Sequence, residues 1–74
     1  MSKRLEMTSE DDNGHVEGTM QIISNDGETI TAYVIKSFYN KAGKFTERKD
    51  ATVTMSAKSY EPDGSICWNG YYWR

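Results

Sequence analysis

The feature that most constrains the fold is the stretch Thr29–Tyr39, TITAYVIKSFY, which is the longest apolar, β-branched and aromatic run in the chain. Successive side chains of an extended backbone point to opposite faces. This alternation places Ile30, Ala32 and Val34 on one face and Tyr33 and Ile35 on the other. Because neither face is polar except at the ends of the run, we predict a central β-strand covered on both sides.

The rest of the chain alternates between strand patterns and turn sequences. The strand patterns are His15–Ser24, Lys44–Lys49, Ala51–Ala57 and Ser65–Arg74, with a weaker one at Arg4–Thr8. The turn sequences are Ser9–Gly14, Asn25–Gly27, Asn40–Gly43 and Glu61–Gly64, rich in the Asn, Asp, Gly and Pro residues that turns require. Residues 1–8 are equally well described as a flexible tail.

No stretch of ten or more residues shows helical periodicity. We therefore predict a single all-β domain over residues 1–74, a small antiparallel meander of five or six strands. The sheet would be strongly twisted or curled into a small barrel. Gly18 indicates a bulge or a close approach of the backbone, and we predict a second bulge at Asn69-Gly70 within one last strand. The C-terminal aromatic residues would fill the space over the small side chains of Ala51–Ala57.

A chain of 74 residues is close to the lower limit for a single core, which at this size supplies about 3–5 kcal/mol. Cys67 is the only cysteine and His15 the only histidine, so a disulfide within the chain and a Cys/His zinc site are excluded. The N-terminal sequence is charged, and no window has the length of a membrane span. We expect a cytoplasmic protein that does not enter the membrane.

Catalytic and metal-binding patterns are weak. The turn Glu10–Gly14 resembles part of a calcium loop, but aligning Gly14 with the sixth position puts Ser9 first and Met20 twelfth, where carboxylates are needed. His15 begins a strand, and Cys67 lies between two large apolar residues, which is typical of a small buried or half-buried side chain. No glycine-rich phosphate loop is present. We predict no catalytic site, no metal and no cofactor.

Charge is unevenly distributed along the sequence. Residues 1–30 contain seven acidic and two basic residues, whereas residues 31–58 contain six basic and two acidic residues. This segregation favours a protein-interaction module, such as a phage-type or immunity-type inhibitor that occludes a larger partner. The acidic residues that would steer the encounter are Glu10, Asp11, Asp12 and Glu17. The aromatic anchors would be Tyr71, Tyr72 and Trp73.

Two other binding functions remain open. The basic, aromatic segment predicts a single-stranded nucleic-acid site formed by Lys36, Phe38, Tyr39, Lys41, Lys44, Phe45, Arg48 and Lys49. An overall charge of −2 weighs against this function, and lysines also protect exposed edge strands from aggregation. A weaker alternative is a sugar-binding platform formed by Trp68, Tyr71 and Trp73.

The second face of the central strand needs its own cover. The C-terminal aromatic residues would cover Tyr33 and Ile35 if the sheet closed into a barrel. A second copy of the chain would cover them if it did not. We favour the second copy and predict a homodimer through Tyr33 and Ile35.

Overall fold

The computed structural model describes residues 3–74, and these form six strands in two antiparallel sheets. The strands are β1 (Arg4–Asp11), β2 (Gly14–Asn25), β3 (Thr29–Asn40), β4 (Phe45–Ser56), β5 (Ile66–Trp68) and β6 (Tyr71–Trp73), with a 3-10 helix at Ala57–Ser59. The first four strands form a meander in sequence order, and β5 and β6 form a separate hairpin. The all-β prediction is confirmed. The small barrel is wrong, because the four-stranded sheet stays open. The single meander of five or six strands is also wrong, because only β1–β4 form a meander and β5 and β6 form a sheet of their own.

Asn and Asp side chains close the turns of the meander. Asp11 Oδ1 accepts a hydrogen bond from the backbone N–H of Asn13, and Asn40 Oδ1 accepts from Ala42 and Lys44. Asp26 Oδ1 accepts from two backbone N–H groups at the β2–β3 turn, first among them that of Thr29, and this lowers the pKa of Asp26. These local bonds fix where each strand reverses and therefore which residues face each other across the sheet.

Several strand boundaries differ from the sequence prediction. The segments Lys44–Lys49 and Ala51–Ala57 are not two strands, because residues 45–56 form the continuous strand β4 with a register shift near Thr46. The Arg4–Thr8 pattern belongs to β1, whose Leu5 and Met7 are buried. Of the tail predicted at residues 1–8, residues 1 and 2 lie outside the described part of the chain.

The core lies between one face of the four-stranded sheet and the C-terminal segment. The sheet contributes the buried residues Leu5, Met7, Val16, Met20, Ile22, Ile30, Ala32, Val34 and Met55. Ile66 and Trp73, both fully buried, cover them from the C-terminal hairpin. The Trp73 ring lies directly over Gly18, where an added Cβ would come within 2.8 Å of Trp73 Cη2. The predicted close approach at Gly18 is therefore made by a side chain, and we call this contact the Gly18–Trp73 notch.

The C-terminal hairpin is also bonded to the edge of β1. The predicted bulge at Asn69-Gly70 is wrong, because both residues have positive φ (55° and 79°) and form a tight turn between β5 and β6. Glu6 and Arg74 exchange two backbone hydrogen bonds of 2.7 and 2.9 Å. This part of the β1 edge is therefore covered by the same segment that covers the core.

The opposite face of the sheet, which we call the open face, has no such cover within residues 3–74. Tyr33 and Ile35 lie at its centre and are half-buried. Because the C-terminal aromatic residues lie on the other side, they do not cover this pair, as barrel closure would have required. The predicted second copy over Tyr33 and Ile35 stays a prediction.

Candidate functional site

An aromatic row crosses the open face at the end where the β1–β2 and β3–β4 turns meet. The strand registers align Glu10, His15, Tyr39 and Phe45 on four neighbouring strands, and we call this set the tip row. The His15 and Tyr39 rings are stacked, with centroids 4.4 Å apart and planes 7° apart. The Phe45 ring meets Tyr39 edge to face at 5.9 Å, yet 56% of Phe45 is exposed. The row thus ends in a large apolar ring on the sheet edge.

Carboxylates surround the acidic end of the tip row. Glu10 belongs to it, Asp11 and Asp12 form the adjoining turn, and Glu17 Oε1 lies 3.7 Å from His15 Nε2. The basic turn residues Lys41 and Lys44 follow β3 at the same end of the sheet, because Gly14 is paired with Asn40. The charges that are segregated along the sequence are therefore brought next to one another in the fold.

The predicted basic, aromatic segment is divided between the two faces of the sheet. Tyr39, Phe45 and Arg48 belong to the open face, where Arg48 Nη2 lies 3.9 Å from Asp50 Oδ2. Lys36, Phe38 and Lys49 lie on the face that carries the C-terminal hairpin. The eight residues therefore do not form one continuous nucleic-acid platform.

A second surface lies where β3 and β4 extend past the C-terminal hairpin. Lys36 and Lys49 face each other across the two strands, and each ammonium group lies over an aromatic ring. The Lys36 Nζ atom is 5.9 Å from the Tyr71 ring centroid, and the Lys49 Nζ atom is 5.7 Å from that of Phe38. Val53 and Trp68 line the groove between these elements. We call this surface the C-terminal groove.

The predicted C-terminal anchors have structural roles. Trp73 is fully buried, so it cannot contact a partner while the fold is intact. Tyr71 packs edge to face on Trp73 at 6.5 Å. Tyr72 is 43% exposed, its hydroxyl lies 2.8 Å from Ser65 Oγ, and the Arg74 guanidinium lies over its ring. Trp68, Tyr71 and Trp73 consequently do not form an exposed sugar-binding platform.

Local polar bonds at the 63–65 turn help to hold the C-terminal hairpin. Asp63 Oδ1 accepts from the hydroxyl of Ser65 at 2.6 Å and from its backbone N–H at 3.0 Å. The Ser65 hydroxyl is the main cause of a lowered pKa of Asp63. Because Ser65 is itself buried, this carboxylate caps the segment that presses Ile66 onto the sheet.

At the centre of the open face the Tyr33 hydroxyl donates a hydrogen bond to Asp50. This bond to a carboxylate raises the pKa of the Tyr33 phenol, because loss of the proton would place two negative charges together. Asp50 on β4 therefore holds the Tyr33 side chain in place. Ile35, the next residue of β3 on the same face, is paired directly with Asp50. The pair predicted for self-association is half-buried without any cover from above.

The structure of residues 3–74 bears on the metal, cysteine and membrane predictions. No group of three His, Cys, Asp or Glu side chains among residues 3–74 could hold a metal ion. Cys67 is exposed, so the prediction that it is a buried side chain is wrong. No helix in this part of the chain is long and apolar enough to cross a membrane.

Comparisons with protein-family models, with curated proteins and with solved structures gave no match for this chain. The tip row was missed in the sequence because it depends on strand register. The signal that could have found it was the chemistry of all three turns of the meander. The β2–β3 turn aligns His15 with Tyr39, and the turns before and after those two strands align Glu10 with His15 and Tyr39 with Phe45.

Proposed function

We propose that this protein is a non-enzymatic protein-interaction module that occludes a larger partner through the tip row and the acidic residues beside it. The observation that supports this proposal is the exposed Phe45 ring at the end of a stacked aromatic row. Aromatic residues are frequent among the few side chains that dominate binding energy. A ring left in water beside a packed row is a suitable anchor for an apolar pocket.

The acidic residues give this proposal its electrostatic part. Glu10, Asp11, Asp12 and Glu17 would speed the encounter with a basic surface on the partner, whereas the rings would set how long the complex lasts. A pocket rimmed by Lys or Arg is therefore the expected binding site on the partner. The acidic steering residues are those predicted from the sequence, while the anchors move from Tyr71–Trp73 to Tyr39 and Phe45.

The mechanism is steric, because the chain adds no catalytic group to the complex. An inhibitor or antagonist of phage or immunity type acts in this way, by occupying a site that its target needs. A cytoplasmic setting is part of the proposal, since the exposed Cys67 thiol would stay reduced there.

Affinity purification from the native host tests the proposal. The wild-type protein, Phe45→Ala and Tyr72→Ala would be used as bait, each after its far-UV circular dichroism spectrum is shown to match. Tyr72→Ala is the matched control, because Tyr72 is also an exposed aromatic residue but belongs to the C-terminal hairpin, on the other side of the sheet from the tip row. We expect one partner with wild type and Tyr72→Ala, and at least a tenfold lower yield (about 1.4 kcal/mol) with Phe45→Ala. Equal recovery by all three would contradict the proposal.

A second candidate function is single-stranded nucleic-acid binding in the C-terminal groove. The observation that favours it is the direct pairing of Lys36 with Lys49 across β3 and β4. Like charges directly opposite each other destabilise a sheet, and a phosphate between the two ammonium groups would relieve this repulsion. The Phe38, Trp68 and Tyr71 rings around them could stack on bases.

Titration with a labelled single-stranded oligonucleotide at low salt tests this candidate. If the groove binds nucleic acid, the affinity falls steeply as salt is added, and the double variant Lys36→Gln/Lys49→Gln loses binding. Lys41→Gln/Lys44→Gln is the matched control, since it removes the same charge from the β3–β4 turn. Equal losses in both double variants would indicate a nonspecific charge effect and would exclude a groove site.

A further inference from the structure

β4 is one of the two edge strands of the four-stranded sheet, and no strand among the described residues pairs with its outer edge. Its first half carries Glu47, Arg48, Lys49 and Asp50, and such charges protect edges from pairing. The second half, residues 51–56, has the sequence ATVTMS and carries no charge and no proline. An uncharged, β-branched edge of this kind is a template for another strand.

The direction of the backbone groups on β4 follows from one hydrogen bond. The N–H of Ala57 donates to the carbonyl oxygen of Glu28 at 2.9 Å, on the same register that pairs β3 with β4. Because neighbouring residues of an antiparallel ladder alternate in direction, Met55 and Val53 also direct their backbone groups toward β3. Thr52, Thr54 and Ser56 then direct their N–H and C=O groups outward, away from the sheet.

We propose that a second copy of this chain pairs antiparallel with residues 48–56 of β4 and joins two four-stranded sheets into one eight-stranded sheet. A two-fold axis at Thr52 places Thr52 opposite Thr52 of the other copy. The same axis places Asp50 opposite Thr54, Arg48 opposite Ser56 and Lys49 opposite Met55, so each charged side chain meets a neutral one. The ladder would contain about ten hydrogen bonds.

Repulsion between like charges limits where along β4 the two-fold axis can lie. An axis at Arg48, Lys49 or Asp50 would bring that residue against its own copy, which is destabilising. An axis between Ala51 and Val53 brings no like charges into direct opposition. The charged half of β4 therefore excludes the other registers, and the uncharged half forms the centre of the contact.

The other edge of the sheet explains why pairing would stop at two copies. Arg74 is bonded to Glu6 on β1, and the remaining part of that edge carries Glu10 and Asp11. Two β1 edges would bring carboxylates together, whereas two β4 edges do not. Because the β1 edge is partly bonded to Arg74 and otherwise acidic, pairing through the two β4 edges would be closed and symmetric rather than a growing fibre.

Sedimentation equilibrium of four single variants and one mixture tests the proposal. We expect wild type to dimerise, and Thr52→Lys and Thr52→Glu each to bind their own copy about tenfold more weakly, because the two-fold axis opposes like charges. An equimolar mixture of Thr52→Lys and Thr52→Glu should dimerise again. Rescue on mixing also shows that both variants are folded. Thr8→Lys, an exposed threonine of the open face on β1, is the control and should dimerise like wild type.

The fourth variant separates this edge interface from a dimer that packs face to face. Ile35→Ser should leave the edge dimer intact, since Ile35 lies on β3 and not on the outer edge. A wild-type monomer at all concentrations, no rescue on mixing, or loss of the dimer in Ile35→Ser alone would overturn the proposal. The experiment makes no use of the tip row, so its failure is independent of the proposed function.

Discussion

The two faces of the four-stranded sheet are built from the same strands but are used differently. One face meets the C-terminal segment and buries eleven hydrophobic residues with it, including Ile66 and Trp73. The open face has the half-buried pair Tyr33 and Ile35 at its centre and the tip row at one end. The covered face therefore holds the fold, and the open face is available for contacts with other molecules.

The largest effect should come from removing the ring that covers the core. Trp73→Ala should cost about 3–5 kcal/mol, because a large buried aromatic side chain is lost. This equals the whole stability expected of a core this small, so the variant should show no cooperative urea transition. Trp68→Ala is the control, since Trp68 is half-buried and should keep a transition. A Trp73→Ala transition at the wild-type midpoint would show that the hairpin is dispensable.

A smaller loss should follow when the Gly18–Trp73 notch is filled. Gly18→Ala brings a methyl group within 2.8 Å of the Trp73 ring and 3.1 Å of the Ile35 carbonyl oxygen, which should cost about 1–3 kcal/mol. In a Trp73→Leu background the same change should cost less, because the smaller side chain leaves room. Urea denaturation of the four proteins of this cycle measures the coupling. Strict additivity would mean that the ring does not occupy the notch.

At the centre of the open face, the expected effect is on the pH at which the Tyr33 phenol ionises. Hydrogen bonding to Asp50 raises the pKa of Tyr33, so the folded protein retains a proton that the unfolded chain releases near pH 10. The associated stability is present below pH 10 and is lost as the pH rises through the folded pKa. Absorbance at alkaline pH should show one of the five tyrosines ionising later than the others. Tyr33→Phe should lack this late phase, whereas a late phase that persists would place the perturbed phenol elsewhere.

The sequence predicts the covered face better than the surfaces around it. Strict alternation and Asn, Asp and Gly turns are local signals, and they located β2, β3 and the turns between them. The hairpin at Asn69-Gly70 was missed because its arms are only three residues long and depend on Trp73 fitting over Gly18, a contact between distant parts of the chain. The alternation of side chains predicts that Tyr71 and Trp73 lie on one face of their strand and Tyr72 on the other. It does not indicate which of the two faces is directed toward the core.

The tip row could not be read from local patterns either. His15, Tyr39 and Phe45 belong to three different strands, and they meet only because the register between those strands is fixed. Strand geometry also explains why Lys36 and Lys49 lie on one face of the sheet and Arg48 on the other, since adjacent residues of a strand face opposite ways. Surfaces that form between strands thus require the topology before they can be recognised.

The free energy of unfolding of Phe45→Ala tests most directly whether the tip row is separate from the fold. Phe45 is 56% exposed and makes one edge-to-face ring contact with Tyr39, so we expect a loss of about 1 kcal/mol or less in urea denaturation. Such a result would leave the ring free to serve a partner. A loss of about 3–5 kcal/mol, as expected for Trp73→Ala, would contradict the account, because the open face would then hold the fold together as well.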